Sequence, residues 1–536
     1  MKGRKITVLV LLLSMLAGIT GNLYFISTKD YLNTNYTVST KSMVLSQLRG
    51  NIYDCNFKKI VNRQKQNLIV AKPSVKSADL LKKHLTLEQY DLLLSSIGKG
   101  IPFCEKTEDF ICNEEYAKSV EVYERYEKNQ PACHIVGYIN SADNVGVSGI
   151  EKSYDELLKK EMVLQLKYTT DAHNNYLLGE NLEIVQNNYY SKQGVRLTID
   201  RNIQIISENA MKLYNVESGA CVVLDAQTAE IKSIASTPTF DCNNISDSLN
   251  QENSPFINKA LNEYSVGSVF KTVVLACAIK NGLENYEYKC EGSLKIGNHS
   301  FSCSSGVKHG SENLSSALAN SCNTYFIELA RQLGSKKIID MARNLGFGET
   351  IELSDYIFSQ SGYLPKPDDI YSDGDLANLA FGQGSLMATP LQIAQCYSAL
   401  VTDGELRFAS LVKSTVDSEG NETKINSYPP NIRALDTQTA KKTKEYLAKN
   451  FTFENYAVAK PDYNCISGGK TSTAQTGWYD ENKEAIFHTW FAGFVDAGDK
   501  TYVIVVFKEN GISGASDCAP VFKEIANRLI IYNRKS

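Results

Sequence analysis

A serine and a lysine three residues apart, at the start of an apolar segment, form the first chemically informative pattern. Ser268-Val-Phe-Lys271 follows the turn-like segment Asn262–Gly267 and opens the apolar run Val269–Ile279. We therefore expect Ser268 at the N-terminus of a buried helix, with Lys271 on the same face. Burial lowers the pKa of a lysine, so Lys271 can accept the Ser268 proton near neutral pH. The pattern predicts a serine nucleophile with a lysine base.

This spacing also occurs where chance alone explains it. Ser305-Gly-Val-Lys308 and Ser410-Leu-Val-Lys413 share it. Taken alone, the pattern is better explained by Ser268 as a helix N-cap and Lys271 as a solvated lysine. The interpretation therefore depends on residues elsewhere in the chain.

A second polar pattern, Ser321-Cys322-Asn323, lies between two helical segments, Leu314–Leu318 and Tyr325–Leu329. A short break between helices would point Ser321 and Asn323 into a cleft. There a hydroxyl could relay a proton and an amide could hold a substrate amide. The alternative is an ordinary helix cap.

The third pattern is Lys470-Thr471-Ser472, followed by Thr473. The preceding glycines resemble a phosphate-binding loop, but the first glycine of that motif would fall on Asn464, so we reject it. As a strand, the segment puts Thr471 and Thr473 on one face. Beside the Lys470 ammonium they would bind a terminal carboxylate, and a backbone N–H of this edge would face an oxyanion.

Metal and thiol chemistry is less strongly indicated. The six histidines lack helical metal-ligand spacing, and zinc binding by Cys290, His299, Cys303 and His309 is less expected than unrelated loop residues or a disulfide. The thirteen cysteines cannot all pair, and most should be small buried residues. Two of Cys290, Cys303 and Cys322 could form a disulfide, with three buried thiols as the alternative.

Composition limits the class of protein. The chain of 536 residues is long enough for two or three domains, and its 43% hydrophobic and 22% charged residues are typical of a folded globular protein. The net charge of -4 lacks the basic excess of nucleic-acid-binding proteins. We expect no nucleic-acid partner.

The N-terminus predicts a membrane anchor. Lys2, Arg4 and Lys5 precede an uncharged run from Ile6 to Ile26, which as a helix would span roughly 30 Å. No good cleavage site follows, which favours an uncleaved anchor over a signal peptide. The positive-inside rule leaves residues 1–5 as a cytoplasmic tail and residues 6–26 as the single span in the cell membrane. The catalytic domain would lie outside the cytoplasm.

Residues 27–195 should form a mixed α/β support domain. Strand-like segments occur near Leu48–Tyr53 and Ile135–Ile139, and helical ones around Ser77–Ile97 and Glu114–Glu127. The polar stretch Asn174–Gly194 has the composition of a linker or exposed loops. We place the domain boundary after it.

Residues 196–536 should form an α+β domain. Gly219–Asp225 and Glu230–Ser236 predict a hairpin, Trp490–Val495 and Tyr502–Phe507 a second strand pair, and Val521–Ile531 a closing helix. Strands at both ends with helices between them favour a mainly antiparallel sheet flanked by helices.

Together these patterns resemble the class B penicillin-binding proteins, membrane-anchored D,D-transpeptidases that cross-link peptidoglycan. Further segments of the chain extend the resemblance over nearly everything after the anchor. They are Arg49–Asp54, His134–Tyr138, Gly149–Glu151, Leu197–Asp200 with Gln204, Ala220–Asp225, Phe381–Gly384, Thr389–Gln392 and Trp490–Gly493.

The resemblance implies a role for each site residue. Ser268 would be the acylated nucleophile, Lys271 its base, and Ser321 and Lys470 the proton route to the leaving D-alanine. Asn323 would orient the substrate peptide. The backbone N–H groups of Ser268 and Thr473 would form the oxyanion hole, with Thr471, Ser472 and Thr473 lining the substrate site and the two threonines holding the carboxylate.

The resemblance also implies ligands and partners. Peptidoglycan stem peptides would be the substrates, and β-lactam antibiotics would acylate the same serine. A polytopic membrane glycan polymerase of the shape, elongation, division and sporulation family is the expected protein partner. The family needs no metal or cofactor.

The chain departs from the family pattern at four positions. Ser472 replaces the usual glycine, Val266 a common proline, and Cys55 and Phe57 the usual arginine and glycine. None removes a catalytic group, and by alternation Ser472 should face away from the two threonines.

Three other functions compete with transpeptidation. A serine β-lactamase does not require a support domain, and a β-lactam sensor needs more cytoplasmic chain than precedes Ile6. A non-catalytic scaffold that activates a glycan polymerase is the third alternative, because fold alone does not establish function.

Overall fold

The computed structural model describes residues 2–28, 38–107, 110–425 and 428–535. They form two compact units. The first comprises Met1–Leu48, Gln64–Glu124 and Glu161–Tyr190, and the second comprises Arg49–Arg63, Arg125–Lys160 and Ser191–Ser536. Residues 49–63 and 125–160, which we predicted within the support domain, thus belong to the second unit. The functional division at residues 195 and 196 stays a prediction.

The chain begins with a long apolar helix, Lys2–Thr28. Its segment Ile6–Phe25 has a mean hydropathy of 2.1 and is long and apolar enough to cross a membrane. The predicted apolar helix is therefore confirmed, while its orientation stays a prediction. Most of the link to the support domain, residues 29–37, lies outside the described residues.

Two antiparallel three-stranded sheets build the first unit. In one, Met162–Thr170 lies between Ser39–Leu48 and Glu183–Asn187. In the other, the central strand is Gln64–Ala71, flanked by Phe103–Thr107 and Ala117–Glu124. The helices are Val75–Leu81 and Leu87–Lys99, as the periodicity of Ser77–Ile97 predicts.

Three of our predictions for residues 114–194 are wrong. The segment predicted as the helix Glu114–Glu127 contains the strand Ala117–Glu124, because Ala117, Val120 and Val122 face the core with spacing closer to two than to 3.6. The predicted strand Ile135–Ile139 begins in a helical turn, Cys133–Val136. The predicted linker Asn174–Gly194 contains the strand Glu183–Asn187.

A five-stranded antiparallel sheet organises the second unit and confirms both predicted strand pairs. Its edges are Ile231–Thr237 and Ser467–Tyr479, and the latter is called the site strand below. In spatial order the strands are Ile231–Thr237, Gly219–Asp225, Lys500–Lys508, Ala485–Ala497 and Ser467–Tyr479.

A second, four-stranded sheet joins early and late parts of the chain. Asn51–Tyr53 pairs in parallel with Gly194–Leu197, which pairs antiparallel with Val412–Val416, and Glu422–Lys424 completes the sheet. The first of these strands confirms part of the strand predicted at Leu48–Tyr53. The remaining strands of the second unit form two-stranded pairs: Ile139–Asn140 with Val145–Gly146, Tyr264–Ser265 with Met387–Ala388, Tyr288–Cys290 with Gly310–Glu312, Ser293–Ile296 with His299–Ser302, Glu352–Ser354 with Ile357–Phe358, and Glu405–Leu406 with Ile432–Arg433.

Helices of the second unit surround one especially apolar helix, Lys271–Lys280, in which Lys271 through Ala278 are buried. The helix Pro390–Val401 is buried throughout, and its Tyr397 hydroxyl lies 2.8 Å from the Thr272 hydroxyl. The site residues on the first helix are thereby held in a rigid core. The other α-helices are Cys133–Val136, Gly149–Ser153, Asp155–Leu158, Arg201–Leu213, Leu314–Ala319, Asn323–Leu333, Ser335–Asn344, Asp373–Ala380, Thr437–Asn450 and Ala519–Lys535.

Candidate active site

Ser268 lies on a tight 3-10 turn, Gly267–Phe270, that leads directly into the buried helix Lys271–Lys280. The turn needs glycine at its first position. Gly267 has φ +63°, and a Cβ there would lie 2.4 Å from Ser472 Oγ. The Gly267 N–H also donates to the Gly382 carbonyl at 2.7 Å. These contacts fix the position of the Ser268 hydroxyl.

Lys271 is completely buried and its amine is surrounded by acceptors. Its Nζ lies 2.8 Å from the Ser321 carbonyl, 3.1 Å from Ser321 Oγ and 2.6 Å from Asn323 Oδ1. Burial, and then the charge of Lys470, hold the pKa of Lys271 well below its ordinary value. The lysine is therefore suited to accept a proton.

Ser321 connects Ser268 to Lys271. Its Oγ donates to Ser268 Oγ at 3.0 Å and also lies within hydrogen-bond distance of Lys271 Nζ. The spacing of three residues predicts Lys271 directly beside Ser268. Among the described residues, however, the lysine's hydrogen bonds go to Ser321 and Asn323. Ser268 and Lys271 are therefore linked through the Ser321 hydroxyl, which lies within hydrogen-bond distance of both side chains.

The predicted break between two helices is confirmed and presents Ser321 and Asn323 together. The helices are Leu314–Ala319 and Asn323–Leu333, and Ser321 has φ +53° in the turn between them. Asn323 Nδ2 donates to the Ser302 carbonyl at 2.9 Å, while its Oδ1 accepts from Lys271. The amide is thus held in one orientation.

The site strand confirms the predicted alternation. Lys470 and Ser472 are buried, whereas Thr471 is half-buried and Thr473 exposed on the other face. Lys470 Nζ donates to the Thr471 carbonyl at 2.9 Å and lies 3.5 Å from Thr471 Oγ1. An ammonium and two hydroxyls therefore lie along one edge of the sheet.

Burial also perturbs Lys470. Its side chain is inaccessible to solvent, and this lowers the pKa of Lys470 from 10.5 to about 7. The ammonium lies 5.9 Å from the Tyr456 ring centroid, a contact that the sequence patterns do not indicate. Two buried lysines with lowered pKa values in one region are typical of a functional site.

The departure at Ser472 is accommodated by a specific contact. Its Oγ donates to the Val266 carbonyl at 2.9 Å, away from the two threonines. The neighbouring strand contributes Trp490, whose Nε1 donates to the Ser265 carbonyl at 3.0 Å. Both contacts hold the segment before Ser268 against the sheet.

Arg49 and Glu151, which belong to the N-terminal segments that carry the family resemblance, form a buried ion-pair network in the second unit, apart from the candidate site. Arg49 Nε lies 3.0 Å from Glu151 Oε2 and its Nη2 lies 2.7 Å from Asp155 Oδ1. Arg125 Nε and the Tyr126 hydroxyl both donate to Glu151 Oε1. This network links parts of the chain about a hundred residues apart.

The group of cysteine and histidine residues considered as possible zinc ligands is partly wrong. Ligand atoms of Cys290, Cys303, His309 and Cys322 all lie within 4.8 Å of one another, whereas His299 is exposed and is not in this group. All thirteen cysteines are free, so the predicted disulfide is not formed in this structure. The sequence patterns indicated Cys322 as a disulfide candidate with Cys290 and Cys303, but not as a member of the possible zinc group.

A family model describing the penicillin binding protein transpeptidase domain matches residues 219–527. The chain is also 28% identical over 402 residues to stage V sporulation protein D of Bacillus subtilis (strain 168). That alignment covers 70% of this chain and 58% of the relative, so the chain spans less than two thirds of the relative's length.

Solved structures share the fold over nearly the whole chain. Penicillin binding protein 3 of Mycobacterium tuberculosis, solved in complex with aztreonam, has a TM-score of 0.65 at 22% identity, covering 92% of this chain and 97% of that one. A component of a peptidoglycan synthase complex, solved in a study of coordinated polymerization and crosslinking, has a TM-score of 0.66 at 21% identity, covering 97% of both chains.

Proposed function

This chain belongs to the penicillin-binding protein transpeptidase family, and we propose that it is a serine-type peptidoglycan D,D-transpeptidase whose nucleophile is Ser268. One observation carries the proposal. The hydroxyls of Ser268 and Ser321 and the amine of Lys271 form a continuous hydrogen-bonded chain of 3.0 and 3.1 Å. It joins a nucleophile to a base, as covalent acyl transfer requires.

Acylation begins with a proton transfer along this chain. When Lys271 is neutral, Ser321 donates its proton to Nζ and accepts one from Ser268, whose Oγ attacks the carbonyl of the penultimate D-alanine. An O–C bond forms and the peptide C–N bond breaks. The leaving D-alanine amine takes a proton delivered through Ser321 with help from Lys470. The acyl ester then reacts with an amine of a neighbouring stem peptide, which restores the Ser268 hydroxyl.

The site strand would bind the substrate during this reaction. The backbone N–H groups of Ser268 and Thr473 stabilise the oxyanion, while the hydroxyls of Thr471 and Thr473 bind the terminal carboxylate beside Lys470. Asn323 orients the peptide. The edge position of the strand supports this assignment, because among the described residues only one side of it pairs with another strand of the sheet.

The same geometry suits β-lactams, which present a strained amide and a carboxylate. Acylation by a β-lactam at Ser268 follows, in keeping with the aztreonam complex of the mycobacterial relative. We further propose a membrane glycan polymerase as partner, supported by the structure of the peptidoglycan synthase complex. The apolar helix Ile6–Phe25 would anchor the protein in the cell membrane with the second unit outside the cytoplasm.

Covalent labelling tests the catalytic assignment. Full-length protein in detergent is incubated with a fluorescent penicillin, and the adduct is located by peptide mapping. Wild type should be labelled on Ser268, and Ser268→Ala and Lys271→Ala should lose labelling, whereas Asn323→Ala should be slower but measurable. Ser410→Ala is the control, since Ser410 shares the Ser-x-x-Lys spacing outside the site.

The outcomes separate the alternatives. Label on another residue, or label that persists in Ser268→Ala, contradicts the assignment. A wild type that forms an adduct and releases it rapidly is a β-lactamase. A wild type that neither binds penicillin nor cross-links synthetic stem peptides is a scaffold.

A further inference from the structure

Four metal-ligating side chains converge next to the Ser321–Asn323 turn. Cys290 ends the strand Tyr288–Cys290, Cys303 directly follows the strand His299–Ser302, and Cys322 lies between Ser321 and Asn323. His309 precedes the strand Gly310–Glu312, whose Gly310 pairs with Cys290. The three cysteines are 0 to 3% exposed and His309 is half-buried. The group is therefore largely shielded from solvent.

Three of the six distances between the ligand atoms match the edges of a zinc tetrahedron, and all four atoms lie within 4.8 Å of one another. Cys303 Sγ lies 3.7 Å from Cys290 Sγ and 3.8 Å from Cys322 Sγ, and Cys290 Sγ lies 3.5 Å from His309 Nδ1. Zn–S bonds of about 2.3 Å and Zn–N bonds of about 2.0 Å in a tetrahedral site place two sulfurs about 3.8 Å apart and a sulfur and nitrogen about 3.5 Å apart. Within the described parts of the chain, no other group of three or more histidine, cysteine, aspartate or glutamate residues meets this criterion.

The surroundings are those of thiolates that bind a metal. The Thr324 hydroxyl, fully buried, lies 3.5 Å from Cys322 Sγ and 3.8 Å from Cys303 Sγ. The Gly292 N–H donates to Cys290 Sγ at 3.4 Å. Hydrogen-bond donors around the sulfurs orient the ligands and stabilise their charge. Three thiolates and one imidazole are the ligand set of structural zinc sites.

We infer that Cys290, Cys303, His309 and Cys322 together bind one Zn²⁺ ion in a closed, tetrahedral site. On binding, the three thiols each release a proton to solvent, and three Zn–S bonds and one bond to His309 Nδ1 form. No oxidant or reductant is involved. Because protein side chains occupy all four positions, the ion has a structural role and takes no part in the acyl transfer.

The site's position indicates what it stabilises. Cys322 is flanked by Ser321 and Asn323, and Cys303 follows Ser302, whose carbonyl accepts from Asn323 Nδ2 at 2.9 Å. An ion joining Cys303 to Cys322 holds both sides of this hydrogen bond in place. The zinc ligands are thus positioning residues for Ser321 and Asn323. This second part of the inference rests on the proposed function, whereas the metal site itself does not.

Metal content tests the site without any need for activity. Zinc, iron and copper are quantified by elemental analysis in full-length protein purified under reducing conditions without chelator. Wild type should contain about one zinc per chain, and Cys290→Ser and His309→Ala should lose most of it. His299→Ala is the matched control, because it removes an exposed histidine from the same loop region and should keep the ion. Cys277→Ser controls for loss of a buried cysteine elsewhere.

Cobalt substitution gives a spectroscopic test on the unaltered sequence. Wild type freed of zinc by a chelator should take up one Co²⁺ and show the strong visible bands of tetrahedral cobalt together with thiolate-to-cobalt charge transfer. Absence of zinc from wild type together with no cobalt uptake contradicts the site. Equal zinc loss in His299→Ala and His309→Ala, another metal in place of zinc, or a disulfide among these cysteines in the reduced protein would also overturn it.

Penicillin attachment tests the positioning role. Chelation should slow labelling of wild type by about tenfold or more, and added Zn²⁺ should restore it. Ser268→Ala should bind zinc normally and remain unlabelled, so failure of the metal site and failure of the proposed function give different results. Labelling that is unchanged after complete zinc removal would contradict the positioning role.

Discussion

The Ser472 hydroxyl donates to the backbone carbonyl of Val266 at 2.9 Å, which attaches the site strand to the residue two positions before Ser268. Ser472 is only 2% exposed, and its Oγ fills the space that a Cβ on Gly267 would need. Position 472 is therefore a point of attachment between strand and turn. It lies on the opposite face from Thr471 and Thr473, so the contact does not involve the two hydroxyls that we propose as carboxylate ligands.

Removal of this attachment should destabilise the protein while sparing the chemistry. Ser472→Ala loses one buried hydrogen bond, about 1 kcal/mol, and Ser472→Gly loses about 2 kcal/mol because glycine also weakens a strand. Both variants should keep penicillin labelling within about tenfold of wild type, since the catalytic groups remain. Urea unfolding and labelling rates measure the two effects. A stability equal to wild type in both variants would contradict the attachment.

Gly267→Ala should be far more damaging, and Ser472→Gly should partly relieve it. The added Cβ would lie 2.4 Å from Ser472 Oγ, and the alanine would have to adopt φ +63°. Together these two effects should lower the free energy of unfolding by about 3 kcal/mol or more. Without Ser472 Oγ the main overlap is gone, although Ala474 Cβ at 2.9 Å and the backbone strain remain.

A double-mutant cycle measured by urea unfolding gives the coupling between the two positions. Gly282→Ala is the control for backbone strain alone, because Gly282 has φ +77° with open space around it. Strictly additive effects of Gly267→Ala and Ser472→Gly would show that the overlap with Ser472 is not what makes glycine necessary.

Lys470→Met should stabilise the protein most at low pH. Burial lowers the pKa of Lys470 to about 7, whereas lysine in the unfolded chain titrates near its ordinary value of about 10.4. Below pH 7 Lys470 is protonated in both the folded and the unfolded state, so the folded protein bears the entire free-energy cost of burying the charge. Between about pH 7 and 10 the unfolded state binds more protons, so wild-type stability rises with pH.

The advantage of Lys470→Met should thus be on the order of 4 kcal/mol at pH 6 and about half of that at pH 9. Urea unfolding at the two pH values measures it, with Lys500→Met, at an exposed position, as the control. An advantage that grows with pH would mean that Lys470 is stabilised in its charged form.

Glu151→Gln should destabilise the second unit strongly. Glu151 is completely buried and binds the equally buried Arg49 as well as Arg125, so its neutral replacement removes the carboxylate that the two guanidinium groups share, although Arg49 keeps its pair with Asp155. We expect a loss of about 3 kcal/mol. Asp340→Asn, which breaks the exposed pair with Lys336, should cost no more than about 0.5 kcal/mol. Similar losses in the two variants, measured by thermal unfolding, would argue against a buried network.

For the apolar N-terminal helix, Lys2, Arg4 and Lys5 predict a membrane orientation with the N-terminus in the cytoplasm. Protease added to cells without a wall should digest the chain beyond about Tyr31, a residue outside those described, and spare an N-terminal epitope. Permeabilised cells, in which both sides are digested, serve as the control. A C-terminal domain protected from the protease in intact cells would indicate the opposite orientation.

Local periodicity explains which elements could be predicted. The strand Gly219–Asp225 has its predicted bounds, the strand predicted at Lys470–Gln475 lies within Ser467–Tyr479, and the apolar run Val269–Ile279 contains most of the helix Lys271–Lys280. The segment Ala117–Glu124 was misassigned because its few apolar residues fit either period until the partner strand Gln64–Ala71 selects the extended form.

By itself, then, the sequence determined the apolar N-terminal helix, the order of the three polar patterns, and the faces on which Thr471, Ser472 and Thr473 lie, because these depend on spacing within one helix or strand. Contacts between distant segments were decided only by the tertiary structure. They include the link from Ser268 through Ser321 to Lys271, the pairing of Arg49 with Glu151, and the convergence of Cys322 with His309 instead of His299. The physical reason is that the relative placement of separate elements depends on how the core packs, which spacing along the chain does not encode.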